Sequence, residues 1–178
     1  MDRINISKII YKLLLTTNSI GLLLIVYLVK EKKWITAFNN YAILLYVLLL
    51  LLFTGICLLS KRLLSRDIIE GGIKNIEMAN DGYLPSYLGY FFVALSIPKN
   101  DMQTLLFVFG VLFVFVFFSR TVYYNPLFLI FGYRFYYITK ANDVKVFIIS
   151  QQEICEVDGL TFKKLRRINN FTYIDEEK

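Results

Sequence analysis

The chain has 178 residues, 57% of them hydrophobic and 17% aromatic, with a formal net charge of +6 and no histidine. The missing histidine removes imidazole general-base catalysis, histidine metal sites and most nucleophilic triads. The apolar residues come in blocks, and a soluble domain of this size lacks the polar elements to cover four such blocks as buried helices.

In chain order, residues 1–12 read as a short amphipathic lead-in lying at a membrane interface. Apolar runs then occupy Leu13–Val29, Tyr41–Ser60, Tyr83–Ile97 and Thr104–Ser119. A bilayer core about 30 Å thick takes about 20 mostly apolar helical residues. The first two runs meet that length with their flanks. The third and fourth are shorter, but they are dense in aromatics and carry no internal charge. The exit of the first run, Lys30-Glu31-Lys32-Lys33-Trp34, has no small-residue cleavage site, so the run is expected to be retained as a span.

Basic residues orient the spans. With the N-terminus inside, segments 1–12, 60–82 and 120–178 hold three, four and nine of them, against three in 30–40 and one in 98–103. This bias predicts a multi-pass membrane protein with both termini cytoplasmic. The Lys30, Lys32 and Lys33 cluster runs against the bias, and a three-span chain with an interfacial first helix is the competing arrangement. The +6 charge is then largely the positive-inside signature and not a nucleic-acid signal.

Between the second and third runs, Leu63, Leu64, Ile68, Ile69, Ile73 and Ile76 recur at near-helical spacing, interrupted by Gly71-Gly72. The spacing predicts a helical extension of the second span, a break at the glycines and a short turn into the third. Pro85 falls in the first turn of the third run, where proline is tolerated. After the breaker Asn125-Pro126 the chain turns β-prone, at Gly132–Ile138, Val144–Ser150 and Phe171–Ile174. Val157-Asp158-Gly159-Leu160 reads as a hairpin turn. The expected fold is therefore an α-helical integral membrane protein. Residues 1–120 form a four-helix transmembrane domain, and 121–178 form a small, mostly β (α+β) cytoplasmic domain. About 50 residues make a marginal domain, which needs the membrane, the 60–82 loop or another subunit to complete its core.

Little in the sequence carries chemistry. Cys57 and Cys155 lie in different environments and form neither a disulfide framework nor a metal site. No Asp, Glu, Lys or Arg lies inside a span, which argues against proton relays, ion-coupled transport and voltage sensing. Gly71-Gly72 is too little for a phosphate loop. Thr16, Thr17, Asn18 and Ser19, with Gly21 beside them, fit either a pore lining or helix–helix and oligomer contact. Lys163, Lys164, Arg166 and Arg167 fit a solvated basic turn, an anionic-lipid surface or, third, a nucleic-acid contact. The aromatic run through Tyr123, Tyr124, Tyr133, Phe135, Tyr136 and Tyr137 fits a stacking platform or an interfacial belt followed by a packed hairpin face. Tyr133, Arg134, Tyr136 and the four basic residues are expected to meet a partner, because aromatic and basic side chains are enriched at interfaces.

Tyr87-Leu88-Gly89-Tyr90-Phe91-Phe92 in the third run, Asn125-Pro126, and Gly132-Tyr133-Arg134-Phe135-Tyr136 at the entry to the last domain resemble the KwaA family, the membrane subunit of the Kiwa anti-phage defence system of bacteria. The resemblance implies a non-enzymatic sensor in the bacterial inner membrane, assembled as a homo-oligomer, a tetramer. It implies a cytosolic DNA-binding partner, KwaB, so that nucleic acid is met only through that partner. It carries over no catalytic residue, metal or cofactor. The residues themselves leave three functions open: a sensor and scaffold that recruits a soluble effector, a small oligomeric channel lined by Thr16–Ser19, and an accessory subunit of a membrane transporter or enzyme.

Overall fold

The computed structural model describes residues 6–31, 41–69, 72–79, 83–118, 125–154, 157 and 160–177. They fall into two compact units. One is built from residues 13–58 and 83–125, the other from residues 1–12, 59–82 and 126–178.

The first unit is helical. It holds most of α1 (Ile6–Glu31), then α2 (Ala42–Leu59), α3 (Tyr83–Ser96) and α4 (Met102–Phe118). The amphipathic lead-in expected at 1–12 is, from Ile6 on, the start of α1 itself. Three contacts fix the direction of α2 against α1. Gly21 lies against Leu50, Thr54 against Asn18, and the Cys57 thiol against the Leu14 carbonyl, so the two run antiparallel. α3 runs parallel to α1, since Ser19 meets Tyr87 while Lys30 donates to the Leu95 and Ile97 carbonyls. Those carbonyls end α3 and have no partner inside it, so the Lys30 ammonium works as a C-cap. The chain reverses through a short turn. There Asn100 takes φ of 62° and donates its N–H to the Glu31 carboxylate, and Asp101 caps α4 through the Thr104 N–H and hydroxyl. Packing centres on Ile20, Leu23 and Tyr27 of α1, Ala94 of α3, and Leu105 and Val116 of α4.

The second unit is a six-stranded mixed sheet. Its strands are β1 (Arg66–Ile69), β2 (Ile73–Met78), β3 (Arg134–Lys140), β4 (Lys145–Ser150), β5 (Phe162–Asn169) and β6 (Thr172–Asp175), in the order β1-β5-β6-β4-β3-β2. All neighbours are antiparallel except β4 and β6. β1 and β2 sit at opposite edges yet are only four Cα steps apart between Ile69 and Ile73. Four steps reach at most about 15 Å, whereas five strand spacings in a flat sheet need about 24 Å. The sheet must curl until its edges approach. Its core confirms this: Ile69 of one edge packs in the same cluster as Tyr136, Ile138, Val146, Ile148, Phe162, Leu165 and Tyr173, and Ile73 and Ile76 of the other edge close it. The opposite face carries an aromatic ladder, Phe128 on Phe135 on Phe147, with Tyr137 edge-on to Phe147.

Residues 60–82 are not a helical extension: a 3-10 turn at Ser60–Leu63 is followed by β1 and β2. Branched isoleucines suit strands, and the partners that select the strand state, β5 and β3, lie far along the chain. α5 (Pro126–Ile130) is one short helix with proline at its first position. Gly132, at φ of 77°, ends it in a Schellman motif, with Tyr133 N–H on the Phe128 carbonyl and Gly132 N–H on Leu129. The chain does turn between Val157 and Leu160, whose N–H bonds the Val157 carbonyl, but Asp158 and Gly159 lie outside the described residues. No hairpin forms there, because β6 separates β4 from β5. The hairpin bend is instead at Asn142-Asp143, with Asp143 at φ of 60°.

Candidate functional site

In the helical unit, Thr16, Asn18 and Ser19 are buried and Thr17 is exposed. Their partners belong to the same chain. Thr54 Oγ1 lies 3.0 Å from Asn18 Oδ1 and 2.9 Å from the Leu50 carbonyl. A hydroxyl has one hydrogen, so one of these acceptors is served at a time. Ser19 Oγ meets Tyr87 OH at 3.5 Å, and Tyr87 OH meets Asn125 Oδ1 at 3.4 Å. Gly21 gives α2 its close approach, since a Cβ there would stand 2.8 Å from Leu50 Cδ1. Asn18, Ser19 and Gly21 join helices within one chain, Thr16 is buried beside them, and Thr17 alone of the four is exposed. Cys57 is buried; Cys155, Tyr123 and Tyr124 lie outside the described residues, as do Lys32 and Lys33.

In the sheet unit, the aromatic residues expected at a partner surface are inside. Tyr133 is 5% and Tyr136 1% exposed. Tyr136 OH donates to the Gln152 carbonyl and accepts the Ile154 N–H, so it pins the loop after β4. Arg134 pairs with Glu153 at 2.7 Å. The basic run on β5 is largely matched by acids of the same unit. Arg166 meets Glu176 at 3.0 Å and the Leu64 carbonyl at 2.6 Å, Lys164 meets Glu177 at 3.6 Å, and Arg167 meets Asp67 at 3.8 Å. Exposed Lys163 is the member of the run without such a match. The acids that meet Lys164, Arg166 and Arg167 come from β1 and the C-terminal end.

A further polar cluster centres on Lys61 and Asp175. Lys61, two residues past α2, donates to Tyr133 OH and to the Asp175 backbone carbonyl, each at 2.9 Å, and stands over the Tyr133 ring. The fully buried Asp175 carboxylate accepts the Ser150 hydroxyl at 2.7 Å and the Glu177 N–H at 3.0 Å. Burial raises its pKa above the ordinary value, and these two hydrogen bonds and Lys61 oppose the rise. No spacing in the sequence links residues 61, 133, 150 and 175; only strand order brings them together. The cluster lies within the sheet unit. It ties the 3-10 turn at Ser60–Leu63 to the start of β3 and the end of β6.

The outer faces of α2 and α4 are apolar. Nine large aliphatic side chains of α2, among them Leu44, Leu52 and Leu59, are exposed, and so are seven large apolar side chains of α4, Phe107, Phe115 and Phe118 included. Exposed apolar area on this scale marks a surface meant for lipid or protein. The shallow depressions on these faces are each lined by one helix and hold no convergent polar groups. Among the described residues no three His, Cys, Asp or Glu side chains converge as a metal site.

These units define a class: apolar helices joined to a compact mixed sheet, with two helices, Ile6–Glu31 and the α2 segment Ala42–Leu63, long and apolar enough to cross a membrane. A family model described as anti-phage protein KwaA matches residues 11–174. The chain belongs to that family, and with it goes a role in anti-phage defence. Neither the curated proteins nor the solved structures give a match to the chain.

Proposed function

We propose that the chain is a non-enzymatic membrane sensor and scaffold, whose helices span the bacterial inner membrane four times and whose sheet unit recruits a cytosolic DNA-binding effector. The observation that carries this reading is the pairing, in one anti-phage family chain, of a lipid-type apolar helical unit with a compact sheet unit. The alternating helix directions support four spans. So does Lys30: its charge is spent on capping α3, which removes its weight as a contrary topology signal. The buried placement of Thr16, Asn18 and Ser19 supports the scaffold over a channel lined by them. Assembly as a homo-oligomer rests on the exposed faces of α2 and α4, which two copies can bury together.

Recruitment is tested with the whole chain. Membranes carrying it, mixed with the soluble product of the neighbouring defence gene, should retain that product. Retention should fall at least tenfold with Lys163→Glu and Phe171→Asp together, both exposed on the sheet unit. An effector that stays soluble beside correctly inserted chain removes the recruiting role.

A further inference from the structure

Most cations of the sheet unit are matched within it, as the Lys164, Arg166 and Arg167 pairs show. Among the described residues of this unit, the side chains of Lys8, Arg62, Arg66, Lys140 and Lys163 make no ion pair or hydrogen bond, and Lys140 stands instead over the Tyr173 ring. Three of these five fall at one level. Arg62 lies in the 3-10 turn that continues α2. Arg66 follows Leu63 by three residues, at most about 11 Å of chain. That reach is comparable with a headgroup layer about 5–8 Å thick plus an arginine side chain. Lys8 belongs to α1, and the antiparallel match of Leu14 with Cys57 and Asn18 with Thr54, continued at the same rise, brings it level with the Arg62–Leu63 turn. Exposed aliphatic groups interleave with them: Ile6, Leu59 and Leu63 are each more than half exposed.

We infer that Lys8, Arg62 and Arg66 form a binding surface for the headgroups of anionic phospholipid at the mouth of α1 and α2. The aliphatic neighbours enter the acyl boundary while the three cations meet the phosphates. Arginine suits this through its planar fork of donors. The surface rests on the reading that α2 crosses the bilayer. It differs from the basic run of β5, whose charge is mostly consumed internally.

The test uses the full chain, purified in mild detergent and mixed with micelles of equal phosphatidylglycerol and phosphatidylcholine. Native mass spectrometry then counts the lipids retained. The parent should prefer phosphatidylglycerol, less so at high salt. Each juxtamembrane cation contributes about fivefold. Arg66→Gln should therefore lower the preference about fivefold, and Lys8→Gln with Arg62→Gln and Arg66→Gln more than tenfold. Lys163→Gln should leave it unchanged. Equal loss with Lys163→Gln, or no preference in the parent, overturns the surface. Should the triple variant fail to fold, the exposed single variants Arg62→Gln and Arg66→Gln decide. Alkaline carbonate extraction separates the two readings. Chain released to the supernatant ends the spanning reading and this one with it; chain retained without lipid preference ends this one alone.

Discussion

Asp175 makes a contribution to stability that depends on pH. Its carboxyl is fully buried, and burial raises its pKa above the ordinary 3.8. The folded state therefore holds the proton more tightly than the unfolded chain. The stability this group contributes is present below the ordinary value and is lost as pH rises through the raised one. Asp175→Asn removes that slope. Thermal unfolding should show the variant gaining on the parent as pH rises above the ordinary 3.8, because an amide still meets both Ser150 and the Glu177 N–H. Asp175→Ala instead strands those donors and should cost about 1–3 kcal/mol. Equal loss by Asn and Ala at neutral pH would remove the account. Lys61→Met, which deletes the donor to Tyr133 and to the Asp175 carbonyl, should cost about 1 kcal/mol in the same measurement. The residue identities were all readable in the sequence, but their roles were not. Tyr133 and Tyr136 look like surface aromatics beside Arg134, and both turn inward because strand alternation and a loop contact, not composition, set their direction.

At the scale of elements, the α1–α2 seam is the most demanding fit. A methyl at Gly21 meets the flexible end of Leu50, which can give way, but a branched side chain cannot be absorbed. Gly21→Val should cost about 1–3 kcal/mol in detergent unfolding. Adding Leu50→Ala should return part of that loss, and additive losses in the double variant would show that the two do not share a seam. In the sheet unit, Gly132→Ala should destabilise by about 1 kcal/mol or more, since φ of 77° strains any side chain. The four apolar helices were legible because hydropathy is local. The 60–82 segment was not, because helix-like spacing of its apolar residues says nothing about β5 and β3, which capture it as strands. The same gap moved the hairpin: an Asp-Gly turn proposes a strand pair, and the sheet inserted β6 between the two candidates.

For the whole molecule, reporter fusions at Lys178 and near Lys99 should fall on opposite sides of the membrane, and equal labelling sinks the four-span arrangement. Deleting 139–178 should do more than remove a partner surface. It takes away β4, β5 and β6, leaves β1 and β2 without a complete sheet, and should yield aggregation-prone chain, visible as loss of a monodisperse peak in gel filtration. The apolar helices were legible in the sequence alone, because blocks of apolar residues and their length are properties of composition along a line. Short motifs at Tyr87–Phe92 and Gly132–Tyr136 were enough to reach the family. Tertiary structure alone decided where that line folds back. It gave the 60–82 segment to the C-terminal sheet, spent the β5 cations on distant acids, turned Asn18 and Ser19 toward neighbouring helices and left Lys8, Arg62 and Arg66 unmatched. Each of those outcomes depends on pairing between residues tens of positions apart, which local pattern does not encode.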